Sequence, residues 1–169
     1  MNTAPVSIWK ELLMLLLKIA SIIIVTLLLF TFLFGVVRYQ DPFMAPAIRS
    51  GDLVFFYRYK QTGYLPQDAI MLEYDGEKQV RRVIAMAGDT VDITEDGLVI
   101  NGALQQELNT WQKTERYKEG VDFPLTVPEG EVFVLADSRA DAADSRVYGC
   151  VKIDYTQGKV MTIIRLRNI

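Results

Sequence analysis

The sequence predicts a mainly β protein, a barrel or packed-sheet domain, carried behind one N-terminal membrane-crossing helix. Three observations carry that prediction: a charge-free apolar run over 19–37, a series of short runs rich in Val, Ile, Phe and Tyr after Arg38, and turn residues between those runs.

The run 19–37 holds 19 residues without one charge. At about 1.5 Å per residue it spans roughly 28 Å, close to the ~30 Å hydrocarbon core of a bilayer. Residues 1–18 read as a short N-terminal tail, with 12–17 extending the apolar face and Lys18 able to lift its ammonium to the headgroups. A cleavable signal peptide is the competing reading; the run is too long for one, and no small-x-small site precedes Arg38. Lys10 and Lys18 on one side stand against Arg38 and Arg49 on the other, so charge leaves the orientation nearly balanced.

Residues 38–169 then form one domain with its own core. Strands are expected at 53–59, 69–74, 80–85, 90–93, 98–100, 132–135, 147–153 and 159–165. Between them lie Gly63, Pro66, Asp75-Gly76, Gly88-Asp89, Asp96-Gly97, Asn101-Gly102, Pro128-Glu129-Gly130 and Gly158, all turn chemistry. Asp96-Gly97 between two β-rich triplets signals a hairpin. The polar stretch 103–123 reads as a surface excursion, either functional or merely solvated.

Composition removes several function classes. A net charge of −3 offers no basic footprint for nucleic acid. With no histidine, imidazole catalysis and the usual zinc sites are excluded, and no metal or cofactor is expected. The one cysteine, Cys150, has no internal disulfide partner and reads as a small packing residue.

Three ordered stretches resemble type I signal peptidases, the peptidase family S26 of membrane-bound enzymes with a Ser/Lys dyad. Phe43-Met44-Ala45-Pro46-Ala47-Ile48 with Gly51-Asp52 is similar to the family's Ser-Met-x-Pro box. The run from Arg81-Arg82-Val83-Ile84 to Gly88-Asp89 is similar to its Lys-Arg-Val-Ile box. The third, Ala136-Asp137-Ser138-Arg139 followed by Asp144-Ser145-Arg146, is similar to its Gly-Asp-Asn-Arg box. The resemblance implies an N-terminus in the cytoplasm and a single-pass anchor in the cell membrane with the C-terminal domain extracellular.

The departures fall on the chemistry. Where the family has its nucleophilic serine the chain has Phe43, and where it has the general-base lysine the chain has Arg81. Phenylalanine carries no nucleophile, and a guanidinium with pKa above about 12 accepts no proton near neutrality. Asp41 falls beside the expected oxyanion position and Ala142 where the family has a serine that orients the lysine. The resemblance gives Arg82, Asp144 and Arg146 as an ion-pair group and Asp137 as a turn residue. The opposite charges of Asp41 and Arg81 predict a direct pair, within about 6 Å.

The reading that follows is a membrane protein that binds an exported chain without cutting it, in a cleft of Phe43, Met44, Pro46 and Arg81. It resembles the short signal-peptidase-like accessory proteins of Gram-positive pilus assembly, with a pilin subunit as partner. The alternative is an active signal peptidase with a displaced site built from Ser50, Ser138 or Ser145 with Lys60 or Lys78.

Overall fold

A computed structural model of the chain describes residues 8–58, 63–110 and 112–165. It begins with helix α1, Ile8–Leu33, whose 26 residues span roughly 39 Å. None of them is buried. A helix this apolar and this exposed is long enough to cross a membrane, and no part of the domain covers it.

The helix does not reach Val37, as the apolar run suggested. Phe34–Arg38 is instead a strand, β1, paired antiparallel with β2, Leu53–Tyr57, from Phe34↔Tyr57 to Arg38↔Leu53. Val36 and Val37 favour extended backbone, and leaving the helix lets them join a ladder. Gly35 makes the pairing possible, because a Cβ there would meet the Phe56 ring at 2.2 Å. At the other end α1 takes in residues 8–18 of the expected tail.

No linker separates helix from sheet. The Arg58 N–H donates to the Leu33 carbonyl at 2.7 Å, and its Nε to the Phe34 carbonyl at 3.2 Å. Phe30 stacks on Phe34 at 4.6 Å and Phe34 meets Tyr57 at 5.3 Å.

The remaining elements are β3 (Ala69–Tyr74), β4 (Glu77–Met86), β5 (Thr90–Thr94), β6 (Gly97–Ile100), β7 (Ala103–Leu104), β8 (Leu125–Thr126), β9 (Glu131–Leu135), α2 (Ser145–Tyr148), β10 (Val151–Lys152) and β11 (Gly158–Ile164). Seven strands form one curled sheet in the order β1-β2-β11-β3-β4-β9-β10, and β7-β6-β5-β8 form a second. The mainly β expectation therefore holds. The β5–β6 hairpin is present with Glu95 and Asp96 as its loop, Gly97 opening the strand opposite Thr94.

The strand expected over 147–153 is divided. Asp144 caps a helical turn by accepting the Arg146 N–H, so 145–148 coil, and only Val151 and Lys152 pair with β9. Lys60, and residue 59 at the end of the strand expected over 53–59, lie outside the described residues.

Three apolar clusters fill the domain. One, around Val91, Leu98, Phe133 and Leu135, joins the two sheets. Another, around Met44, Ile48, Val54, Met71 and Val80, lies under residues 39–48. The third holds Ile70, Leu72, Val83 and Val134.

Candidate functional site

After β1 the chain leaves the sheet in a compact loop. Tyr39 closes it, donating its N–H to the Asp52 carbonyl at 2.8 Å and accepting the Gly51 N–H at 2.7 Å. Met44 and Ile48 are its apolar anchors, 0 % and 2 % exposed. Met44 is thus core, not the cleft contact the sequence suggested, because its turn points it beneath the loop against Val54 and Val80. Pro46 is exposed and does not line the groove described below.

Asp41 and Phe43 stay at the surface of this loop, half-buried. One Asp41 oxygen accepts the Phe43 N–H at 2.8 Å, and the Phe43 carbonyl accepts the Ser138 N–H at 2.8 Å. Across from them β4 delivers Arg81, wholly buried. Its Nη1 donates to the second Asp41 oxygen at 2.6 Å and to the Val80 carbonyl at 2.7 Å, and its Nε donates to the Ala143 carbonyl at 2.8 Å. The Phe43 ring centre is 5.9 Å from the guanidinium carbon. The expected Asp41–Arg81 pair exists as a direct contact.

This arrangement accounts for a buried cation. A guanidinium taken out of water needs a carboxylate and further acceptors, and Arg81 has one carboxylate and two carbonyls. Two buried phenol hydroxyls, those of Tyr39 and Tyr148, face the same charge. Burial pushes both above the usual phenol range, against the pull of Arg81. Ala142 is buried too, one residue before the Ala143 carbonyl that Arg81 uses, and its own carbonyl accepts from the Tyr117 hydroxyl.

At the two positions themselves, 43 and 81, there is neither a nucleophile nor a group that accepts a proton near neutrality. Phe43 supplies a ring and Arg81 a permanent cation. The Phe43 N–H, a donor that would be free for a developing oxyanion, is already taken by Asp41.

The displaced alternative finds its residues apart. Ser145 is buried and its hydroxyl oxygen accepts the Val134 N–H at 2.9 Å. Ser138 Oγ lies 3.4 Å from Gln112 Oε1, and Ser50 is an exposed turn residue. Among the described residues none of these hydroxyls meets a lysine, and no three metal-ligating side chains cluster.

The ion-pair group expected of Arg82, Asp144 and Arg146 separates in two. Arg82 pairs with Asp137 through two bonds of 2.7 and 2.6 Å, so Asp137 is a buried carboxylate and not merely a turn residue. Asp144 pairs with Arg146 at 2.9 and 2.8 Å and accepts the Ala136 N–H as well. The division follows from β4: Arg82 is half-buried on the face opposite Arg81 and reaches Asp137 beyond the end of β9.

From this second pair a network runs into the excursion. Arg146 donates to the Glu115 and Arg139 carbonyls and stacks on Tyr117, while Arg139 holds Glu107 at 2.6 Å and Thr114 at 2.9 Å. Desolvation lowers the Arg139 pKa, partly offset by Glu107. The excursion is therefore clamped to the domain at Glu107, Thr114 and Tyr117, while most of its described residues stay exposed, as expected of a surface excursion. Arg139 was visible within its box, but nothing in the sequence marks Glu107 or Thr114 as its partners.

A groove of about 740 Å³ opens beside Asp41 and Arg81. Val37, Arg38, Gln40 and Phe43 line it from the β1 side and Gly76, Glu77, Lys78 and Gln79 from the β4 side; Asp141 and Ala143 line it as well, the Ala143 carbonyl holding Arg81. Each wall includes an unpaired strand edge. β1 is the last strand of its sheet, and β4 meets β9 only from Arg82 onward.

Residues 11–165 match the sequence pattern of the family described as "Signal peptidase, peptidase S26". A signal peptidase I of Bacillus caldolyticus is 32% identical over 155 residues, 84% of each chain. Signal peptidase IB of Staphylococcus aureus is 28% identical over 168 residues, covering 89% of this chain and 88% of its own. A crystal structure of a signal peptidase I from Enterococcus faecalis aligns with a TM-score of 0.49 at 30% identity, over 61% of this chain and 100% of that one.

Proposed function

Because the chain belongs to the signal peptidase family S26, we propose that it is a member that binds an exported polypeptide in the family's cleft and does not cleave it. The observation that carries this is the Arg81–Asp41 pair beside Phe43: the two positions of the dyad hold a salt-bridged cation and an aromatic ring. The open edges on either side of the groove support binding by strand addition, in which main-chain hydrogen bonds supply affinity.

The apolar helix and the relatives named signal peptidase I support a membrane-anchored protein. In this reading the domain lies outside the cytoplasmic membrane, the N-terminus is cytoplasmic, and the partner is a secreted or surface chain such as a pilin subunit in pilus assembly.

The test is a cleavage assay beside a crosslinking assay. Purified full-length protein in detergent, mixed with a pre-protein, is expected to leave the signal peptide in place at enzyme-to-substrate ratios where a signal peptidase I finishes the reaction. A photo-crosslinker at position 40 or 78, in membranes, is expected to capture an exported chain. Cleavage at the signal site that Ser138→Ala or Ser145→Ala abolished would replace this reading with a displaced active site.

A further inference from the structure

A second, smaller pocket of about 110 Å³ lies between the two sheets, under residues 105–109 of the excursion. Ile84 of β4 with Leu98 and Ile100 of β6 give it an apolar lining. It shares no lining residue with the groove, and Arg82, which lines it, stands on the β4 face opposite Arg81. Both sites can therefore be occupied at once.

Its size excludes most ligands. Cofactor and substrate pockets run to roughly 300–1,000 Å³, whereas an apolar cavity of about 150 Å³ holds one benzene ring. The space left here is that of a single branched aliphatic side chain.

Its polar groups are donors without surplus charge. Arg139 is 4 % exposed, and Thr114, the Ala136 carbonyl and Glu107 each take one of its five N–H groups. Arg82 gives two to Asp137 and one to the Gln67 carbonyl. Two N–H groups on each guanidinium thus have no acceptor among the described residues, yet each cation already has its carboxylate. Such a place suits a neutral carbonyl oxygen better than another anion.

The mouth is set in advance. Gln67 holds a left-handed backbone, φ +74°, pinned by its N–H to the Val83 carbonyl and by its Oε1 to the Asn109 amide at 2.7 Å. Leu108, 83% exposed, lines the pocket from the excursion and offers apolar contact to whatever enters. A preformed opening lowers the ordering cost of binding.

We infer that this pocket is a second docking site, which takes one leucine-sized aliphatic side chain from a loop of a partner protein, a main-chain carbonyl of that loop accepting from Arg82 or Arg139. It does not depend on what the groove binds.

The experiment is NMR titration of the full-length protein in detergent, following the side-chain amides of Gln67 and Asn109. N-acetyl-leucinamide is expected to shift them saturably, with a Kd on the order of a few millimolar. N-acetyl-alaninamide, which leaves the space unfilled, and N-acetyl-leucine, which brings a carboxylate, are each expected to bind at least fivefold more weakly. A cyclic hexapeptide of glycine and serine carrying one leucine is expected to bind at least tenfold more tightly than N-acetyl-leucinamide. Ile100→Trp, which fills the pocket, is expected to abolish the shifts, and Leu108→Asp, a change at an exposed position that leaves the fold intact, to weaken hexapeptide binding at least threefold. Absence of saturable shifts, equal binding of the alanine probe, tighter binding of the free acid, or no gain from the hexapeptide overturns the inference. Unchanged hexapeptide binding by Leu108→Asp overturns it as well.

Discussion

Asp41 and Arg81 are 40 residues apart in the chain and 2.6 Å apart in space, and the guanidinium between them is almost fully buried. Removing one partner from such a pair leaves an uncompensated buried charge, whereas replacing both by apolar groups is close to neutral.

Asp41→Ala is therefore expected to destabilise the domain by about 3–5 kcal/mol, and Asp41→Ala with Arg81→Met to recover most of that loss. Denaturant melts of the four proteins in the cycle measure it. Additive losses would mean that the two side chains are not coupled.

Restoring the dyad alone is expected to fail. In Phe43→Ser with Arg81→Lys, the new amine sits beside the Asp41 carboxylate, which favours its protonated form and withholds the base. Adding Asp41→Gly frees both the amine and the residue-43 N–H, and is expected to raise pre-protein cleavage at least tenfold over the double variant. Equal rates for the two variants would remove Asp41 as the obstacle.

The clamp on the excursion offers a contrast of magnitudes. Asp144→Ala strands Arg146, a fully buried partner, and is expected to cost about 3–5 kcal/mol and to expose the loop near Thr114 to protease. Asp92→Ala breaks a pair whose side chains are 47% and 29% exposed, and is expected to cost under about 1 kcal/mol. Similar melting points for the two variants would contradict the burial argument.

Burial pushes the Cys150 thiol up to about 11, aided by the nearby Glu131 carboxylate. A free cysteine near 8.5 is about one-quarter thiolate at pH 8, so alkylation of the folded protein is expected to be on the order of a hundredfold slower than that of the unfolded chain. The neutral thiol is the form the fold prefers, so this contribution is complete below the unfolded value near 8.5 and is lost as pH rises towards about 11. Mass-spectrometric labelling rates across pH 7–10 give the profile.

Local chemistry made much of this legible. The β-rich runs, their turns and the Asp41–Arg81 pair follow from residue type and from the order of the three boxes. What escaped depends on contacts distant in sequence. Whether 34–37 continued the helix was decided by β2, 19 residues on, which offers a ladder that hydropathy cannot register. Met44 had the same apolar side chain whether it lined a groove or filled a core, and only the turn through Pro42 and Ala45 set its direction. Arg82 found Asp137 and not Asp144 because alternation along β4 places Arg81 and Arg82 on opposite faces.

The junction at Leu33 and Phe34 has a mechanical consequence. With α1 in a bilayer, Arg58 bolts the sheet to the end of the helix, and Val37 follows only four residues, roughly 13 Å of strand, after Leu33. The domain has no hinge on which to lean out and search. The Val37 edge of the groove is held close to the lipid, so under the proposed function it meets exported chains just as they clear the membrane.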